Sequence, residues 1–253
     1  IDSIIDDLID KKNILISLID LKSYDDYLYT HSVNVCILSG MIAMGMKLPM
    51  NKVKSIMLGA LFHDVGRIKI DKKIWNKPGR LTEEEMNLVK THPEVGYEIC
   101  TKHGILTAVE GMAVLQHHEK LDGSGYPDGR TEDEIHLFGK IVALADVYDA
   151  LTTDRPFRKR LRVHEALEYI NSMKGVFFYR EAVDALKTFI APYPIGIIVM
   201  LNTGERAFVI KENPKAPLRP VVRVFNDGKS LKIGHIGDID LSLEPNKKIV
   251  RVL

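Results

Sequence analysis

The chain of 253 residues has two cysteines, Cys36 and Cys100, and no CxxC or comparable spacing, so neither a disulfide framework nor a thiolate metal site organises it. Each cysteine lies within an apolar helical pattern and reads as a small core residue suited to a reducing compartment. An excess of either charge is also lacking. The 35 Lys and Arg against 34 Asp and Glu leave a formal net charge of +1, which nominates no nucleic acid polymer as a partner. No apolar run approaches the length of a membrane span, no signal peptide opens the chain, and there is no internal repeat, low-complexity tract or charge block. The expectation is a cytoplasmic location with no membrane segment in this chain. The first residue is Ile rather than Met, so the chain is expected to be the cytoplasmic part of a longer protein.

What is present is ordinary globular composition, 45% hydrophobic and 27% charged, enough for one large domain or a medium and a small one. Residues 1 to about 190 read as mostly helical. In "VKSIMLGALFHDVG", Val53, Ile56, Met57, Ala60 and Leu61 fall on one helical face. "TAVEGMAVLQHHEK" aligns Val109, Met112, Ala113 and Gln116, and "GKIVALADVYDALT" aligns Ile141, Leu144, Ala145 and Tyr148. "REAVDALKTFI" does the same with Ala182, Ala185, Leu186 and Phe189. Thr82 and Glu85 predict a capping box that starts another helix. At "APYPIG", 191–196, the pattern changes to short β-branched runs, "IGIIVML", "RAFVI", "RPVVRVF" and "KKIVRVL", with "NTGE" as a hairpin turn. The expected fold is mainly α, a helical bundle with a small C-terminal all-β appendage. Its expected divisions are a helical lead-in over 1–26, a helical domain over 27–191 and a β domain over 192–253.

The nine histidines carry the functional signal. A single His on a helix is more often packed or solvated than a ligand. The collection is different. His63 and Asp64 are adjacent at the end of an apolar helix, and helical neighbours lie about 100° apart, so both can lean toward one cavity. His31 opens another apolar pattern, His92 precedes Pro93 at a helix start, and His117 and His118 close a third helix. Asp146 lies in the apolar helix 139–152, where a charge is costly unless it is paired or bound to a metal. Five imidazoles and two carboxylates on five segments can thus converge in a bundle core. Mixed His/Asp ligation without sulfur suits Mn, Fe, Co, Ni or Zn more than Mg or Ca. Seven ligands exceed the needs of one ion, and two ions sharing a carboxylate fit the count. Two metals about 3.5–4 Å apart activate a bridging hydroxide for in-line displacement at phosphorus.

"HDVGR" (63–67), "HPEVG" (92–96), "HHEKLDGSGYP" (117–127) and "DVYDALTTDRPFRK" (146–159) occur in this order and resemble the HD-GYP family; "YTHS" (29–32) and "KPGRLTEEE" fit the same pattern. The resemblance covers about residues 27–190. It implies an HD-domain helical bundle and a metal-dependent phosphodiesterase of bacterial cyclic dinucleotides, chiefly cyclic di-GMP, opened to pGpG and further to GMP. Carried over by position, one metal takes His31, His63, Asp64 and Asp146, and the other takes Asp64 as a bridge with His92, His117 and His118. The nucleophile is then a metal-bound hydroxide, and iron or manganese are the expected ions. Tyr126, in Gly125-Tyr126-Pro127, is placed to contact substrate, and Arg155 and Arg158 resemble positions that hold phosphate and guanine through bidentate bonding and stacking.

Three departures from the family pattern bear on chemistry. Arg67 stands where the family usually has Lys near the metals and the phosphate; it keeps the charge without the compact ammonium. Tyr27 stands where trinuclear members carry Glu, so the expected site is binuclear. "FFYRE" (177–181) replaces a Phe-Asp-Pro stretch at a peripheral connection. Asp149 is expected to support the ligands, pairing with Arg67, and Glu119 and Asp122 either act similarly or are solvated. His103, His136, His164 and His235 match no ligand position. The alternatives are a catalytically weak effector or scaffold that binds a cyclic dinucleotide or a diguanylate cyclase, and another phosphohydrolase of the superfamily such as a nucleotidase. Cyclic di-GMP and cyclic GMP-AMP are not separable here, and the β tail leaves regulation, homodimer contacts and partner docking open.

Overall fold

The computed structural model describes residues 26–75, 77, 79–154, 159–190, 192–226 and 237–253, and helix α1, Asp26–Gly45, is the longest element among them. Its window Leu28–Gly45 is long and apolar enough to cross a membrane by length and composition, which corrects the expectation that no run approaches that length. The apolar residues have a different use here. Leu28, Val35, Ile42 and Ala43 are fully buried against the rest of the bundle, and the same helix carries a buried histidine, His31. Tyr27 lies in the first turn of α1, but its side chain, like Arg155, Arg158 and His235, is outside the described residues.

Contacts divide the chain into two units: residues up to Arg162 with Glu168–Leu186, and Val163–Leu167 with Lys187–Leu253. In the first, α1 packs on α2 (Met50–Leu61) and α7 (Leu137–Thr152), and α6 (Ala108–Gln116) packs on α2, α5 (His92–Lys102) and α7. Shorter helices α3 (Lys72–Trp75) and α4 (Glu83–Val89) lie between α2 and α5 in sequence. Thr82 and Glu85 form the expected capping box of α4. A second box, Thr107 with Glu110, starts α6: Thr107 Oγ1 accepts from the Glu110 amide, and the Glu110 carboxylate accepts from the Thr107 amide. Thr107→Ala is therefore expected to cost about 1 kcal/mol of stability, measurable by urea titration, without displacing the helix.

Buried faces differ from the expected ones where small residues replace bulky ones. On α2 the buried set is Val53, Ile56, Gly59, Ala60 and Leu61. A Cβ on Gly59 would lie 2.6 Å from the Ala113 methyl and from the Glu110 carbonyl, so α2 and α6 are in backbone-close contact there. On α6 the face is Gly111, Ala113, Val114 and Gln116, whereas Val109 is 54% exposed. Phe189, expected on a buried face of α8 (Arg180–Phe189), is 44% exposed, and Val183 is buried instead. Helix α7 is buried nearly all round, as its continuous apolar sequence requires. Its interior carboxylates, Asp146 and Asp149, stand out against that setting. Cys36 and Cys100 are free thiols, each pushed up to about 12 by burial.

The second unit holds a five-stranded antiparallel sheet of order β4-β3-β2-β1-β5. Its strands are β1 (Ile198–Leu201), β2 (Arg206–Lys211), β3 (Val221–Asn226), β4 (Gly237–Asp240) and β5 (Ile249–Val252). The "NTGE" turn joins β1 to β2, with Gly204 at φ 95°. Strand alternation sends Val199, Leu201, Ala207, Val209, Val222 and Val224 into one core with Tyr193 and Ile249. β4, "GDID", has no β-branched run to announce it. It is held at the edge by β3, and Asp238 pairs with Arg223 at 2.8 Å.

Candidate metal centre

The turn after α2 is where the site begins. Helix α2 ends at Leu61, and the chain passes through Phe62, His63 and Asp64 into a 3-10 turn, Val65–Lys69. Gly66 permits the close approach of α5: a Cβ there would sit 2.1 Å from the His92 carbonyl oxygen and 2.7 Å from the Gly96 nitrogen. His92 is thereby brought to the His63-Asp64 pair as the first residue of α5. His117 follows the last residue of α6, His31 reaches in from α1, and Asp146 comes from the middle of α7. All of these except His118 are buried, and His118 is partly buried.

Backbone carbonyls orient the imidazoles. Nδ1 of His63 donates to Ala60 O, Nδ1 of His92 to Val89 O and Nδ1 of His117 to Val114 O, each at 2.7 Å. A carbonyl can only accept, so each Nδ1 carries its proton and each Nε2 presents a lone pair. His63 Nε2 is buried without a hydrogen-bond partner. His92 Nε2 and His117 Nε2 face each other at 3.2 Å, a juxtaposition of lone pairs that a cation stabilises. Burial holds the His63 and His117 imidazoles below their ordinary range, and it pushes His118 down to about 4. The neutral state that a metal ligand needs is thus favoured by the surroundings. His31 is opposite. Burial alone would lower it, but hydrogen bonds to Asp146 and Asp149 raise it to about 9. Asp64 and Asp146 resist burial through the surrounding cations and imidazoles and lie well below the ordinary carboxylate range.

Two groups that could hold a metal ion result, each with donor atoms within 4.8 Å of one another: Asp64, His92, His117 and His118 in one, and His31, His63 and Asp146 in the other. Asp64 faces both. Its Oδ1 is 3.2 Å from His92 Nε2 and 3.8 Å from His117 Nε2. Its Oδ2 is 3.5 Å from His63 Nε2 and 3.9 Å from His31 Nε2. Asp146 is similarly placed, with Oδ1 3.1 Å from His31 Nε2 and Oδ2 3.8 Å from His118 Nδ1. The donor chemistry, the bare His63 nitrogen and the convergent Nε2 atoms fit divalent transition-metal ions.

Around these groups the structure redistributes the supporting residues. The expected Arg67–Asp149 pair is not formed. Arg67 Nη1 donates to Asp64 Oδ2 at 2.7 Å. Asp149 instead accepts from His31 Nδ1 at 2.6 Å, Asn34 Nδ2 at 2.9 Å and Thr153 Oγ1 at 3.2 Å. The reason is the length of one helical turn: three residues beyond Asp146, Asp149 still faces α1. Glu119 is buried and accepts from the Asp128 and Arg130 amides at 2.8 and 3.0 Å, which fastens the loop that follows the histidine pair. Asp122 belongs to an exposed turn with Ser124. Gly125 lets this loop fold back on itself, since a Cβ would lie 2.5 Å from Glu119 Cα and His118 O. Tyr126 consequently lies over His118, ring centroids 4.6 Å apart, and burial raises its phenol so that the hydroxyl stays protonated.

Three neighbours were not among the expected site residues, and of these Gln116 alone was placed on a packed helical face by its spacing. Trp75, from α3, lies over the Arg67 guanidinium at 3.8 Å and edge-on to His92 at 5.6 Å. Gln116 is buried and accepts from the His136 amide at 2.7 Å, and Asn34 meets Asp149. None belongs to a motif, and only a bend in the chain brings Trp75 back to the site. The other histidines lie elsewhere: His103 caps the end of α5, His136 caps the start of α7 through the Phe138 amide, and His164 is buried against Tyr193.

The profile of the HD domain family matches residues 14–182, and that of the KOW domain associated with HD domains matches 198–253. The chain is 37% identical over 221 residues to a cyclic di-GMP phosphodiesterase of Pseudomonas aeruginosa, covering 86% of this chain and 52% of that protein. It is 41% identical over 149 residues to a cyclic di-GMP phosphodiesterase response regulator of Xanthomonas campestris pv. campestris, covering 58% of this chain and 39% of that protein. The chain thus spans about half or less of the length of these relatives. The solved structure of an HDG"Y"P protein from Bdellovibrio bacteriovorus shares the fold, with TM-score 0.53 and 23% identity over 62% of this chain and 50% of that one. With the profile spanning two thirds of its residues and the ordered HD, HP, HH and GYP motifs lining one site, the chain belongs to the HD domain family as an HD-GYP member.

Proposed function

We propose that the protein is a metal-dependent phosphodiesterase that opens a cyclic dinucleotide, cyclic di-GMP foremost, to linear pGpG and then to GMP. The observation that carries this reading is Asp64, whose two oxygens face two separate histidine groups. In this reading His31, His63, Asp64 and Asp146 hold one divalent ion, and Asp64, His92, His117 and His118 hold the other, with iron or manganese suited to the donors. Such ions, when bound, supply an activated water and charge stabilisation at phosphorus. The protein's own groups do the rest. Nδ1 protons locked on carbonyls keep the ligand nitrogens aimed inward. Tyr126 offers a hydroxyl at the rim above His118, and Arg155 and Arg158 are assigned to phosphate and guanine. The domain division at 27–191 and 192–253 and a cytoplasmic setting belong to the same proposal.

Asp149 is assigned the role of orienting His31. Asp149→Asn is expected to lower metal affinity by about 10–100-fold, because the amide loses the charged acceptor for His31 Nδ1–H. Equilibrium dialysis with elemental analysis measures it; unchanged affinity removes Asp149 from the support of the site.

The proposal is tested with anaerobically prepared, metal-replete protein given cyclic di-GMP and cyclic GMP-AMP, with products separated by chromatography. Linear dinucleotide from either substrate supports it, and the preferred substrate selects between them. Both substrates left intact by protein carrying two metals sinks it. One observation favours a second reading, a cyclic-dinucleotide effector that docks a diguanylate cyclase or a second copy of itself: Arg67 is engaged with Asp64. Nucleotide binding without hydrolysis is the result that selects it.

A further inference from the structure

Arg67, expected from the family resemblance to serve the substrate's phosphate, is turned inward onto a carboxylate. Nη1 donates to Asp64 Oδ2 at 2.7 Å, and the guanidinium lies 3.8 Å from the centre of the Trp75 ring, within the range of a cation–π contact. Trp75 is itself braced by the edge of the His92 ring at 5.6 Å. The contact is one-sided. Arg67 occupies Oδ2, the oxygen that faces His31 and His63, and leaves Oδ1 to His92 and His117. The two oxygens of the shared carboxylate are therefore unequal as ligands.

We infer that Trp75 is a positioning residue that pins Arg67 onto Asp64, and that this pin makes the two metal sites unequal, the Asp64/His92/His117/His118 group binding tightly and the His31/His63/Asp146 group weakly. A hydrogen-bonded carboxylate oxygen is a poorer donor, and a guanidinium beside the weaker group opposes a second divalent charge at close range. Trp75 acts only through Arg67, since nothing in its ring ligates a metal. The inference rests on the metal assignment proposed above.

Trp75 is also the only tryptophan in the chain, so it reports on its own site. Metal-stripped protein is titrated with Mn(II) while calorimetry and tryptophan emission are followed together. Two binding steps differing by at least about tenfold in Kd are expected, with the emission change complete at the first equivalent because the ring borders His92. Arg67→Met is expected to tighten the second step by about tenfold and leave the first within about twofold. Trp75→Leu should move the second step toward the Arg67→Met value, whereas Trp75→Phe, which keeps an aromatic face, should retain the wild-type pattern. Circular dichroism melting of each variant separates these shifts from loss of fold. Equal steps in the wild type, an emission change that follows the second equivalent, or a second step weakened by Arg67→Met overturns the inference while leaving the metal assignment standing. Failure of the folded wild type to bind Mn(II) or Fe(II) overturns both.

Discussion

Asp64→Ala is expected to reduce the proposed hydrolysis of cyclic di-GMP by about a thousandfold or more, equivalent to roughly 4 kcal/mol of transition-state stabilisation. The size follows from position. Asp64 faces both histidine groups through four imidazole nitrogens, with Oδ1 3.2 Å from His92 Nε2 and Oδ2 3.5 Å from His63 Nε2, whereas Asp146 meets one imidazole on each side. In the proposed assignment removal of Asp64 takes a ligand from both ions, and it leaves the Arg67 guanidinium without the carboxylate that it donates to. Metal content should fall together with turnover, which elemental analysis of the purified variant checks. Asp64→Asn preserves shape but loses the charge, and its activity should lie near that of the alanine variant. Turnover within tenfold of the wild type in both variants would remove Asp64 from the reaction.

Gly66→Ala is expected to be the most damaging small substitution for stability, about 3–5 kcal/mol, with a fall of about 10 °C in melting temperature. Gly66 is not needed for its conformational freedom, because it is absent from the residues with positive φ. It is needed for space. The added methyl would meet backbone atoms, His92 O at 2.1 Å and Gly96 N at 2.7 Å, which cannot swing aside as a flexible side chain can. The 3-10 turn and α5 would have to separate, taking His92 away from Asp64, so metal binding should fall with stability. Gly104→Ala is the contrasting control. Gly104 has φ +66° and nothing within 4 Å of an added Cβ, so only backbone strain of about 1 kcal/mol is expected. A melting temperature for Gly66→Ala within 2–3 °C of the wild type, by the usual scaling of about 2–4 °C per kcal/mol, would show that the two segments are not tightly apposed.

Local spacing was enough to make the helical bundle, the β tail and the candidate ligand set legible. Residues such as Ile141, Leu144 and Ala145 on α7 repeat with the helical period, and an imidazole or carboxylate within such a pattern is conspicuous because an isolated buried charge is so unfavourable. Asp146 and His63 stand out for that reason. The faces that pack through small residues were harder to read. Gly59 on α2 and Gly111 on α6 define contacts that a search for large apolar side chains passes over, and this is why Val109 was expected inside and lies outside. β4 was missed for a related reason, being an edge strand written in glycine and aspartate and held by its neighbour.

Partnership among charged groups was settled only in three dimensions. Residue order alone allowed Asp149 to pair with Arg67, since both stand near the proposed ligands. The fold instead aims Asp149 across the bundle at His31 and Asn34, 118 and 115 positions away, and hands Arg67 to Asp64. Trp75 makes the same point, because no motif contains it and only the bend between the 3-10 turn and α3 lays its ring on Arg67. Periodicity is a property of neighbours along the chain, so it reports which face of an element is buried. Which charge meets which depends on distances of a few ångströms between elements far apart in sequence, and those are set by packing.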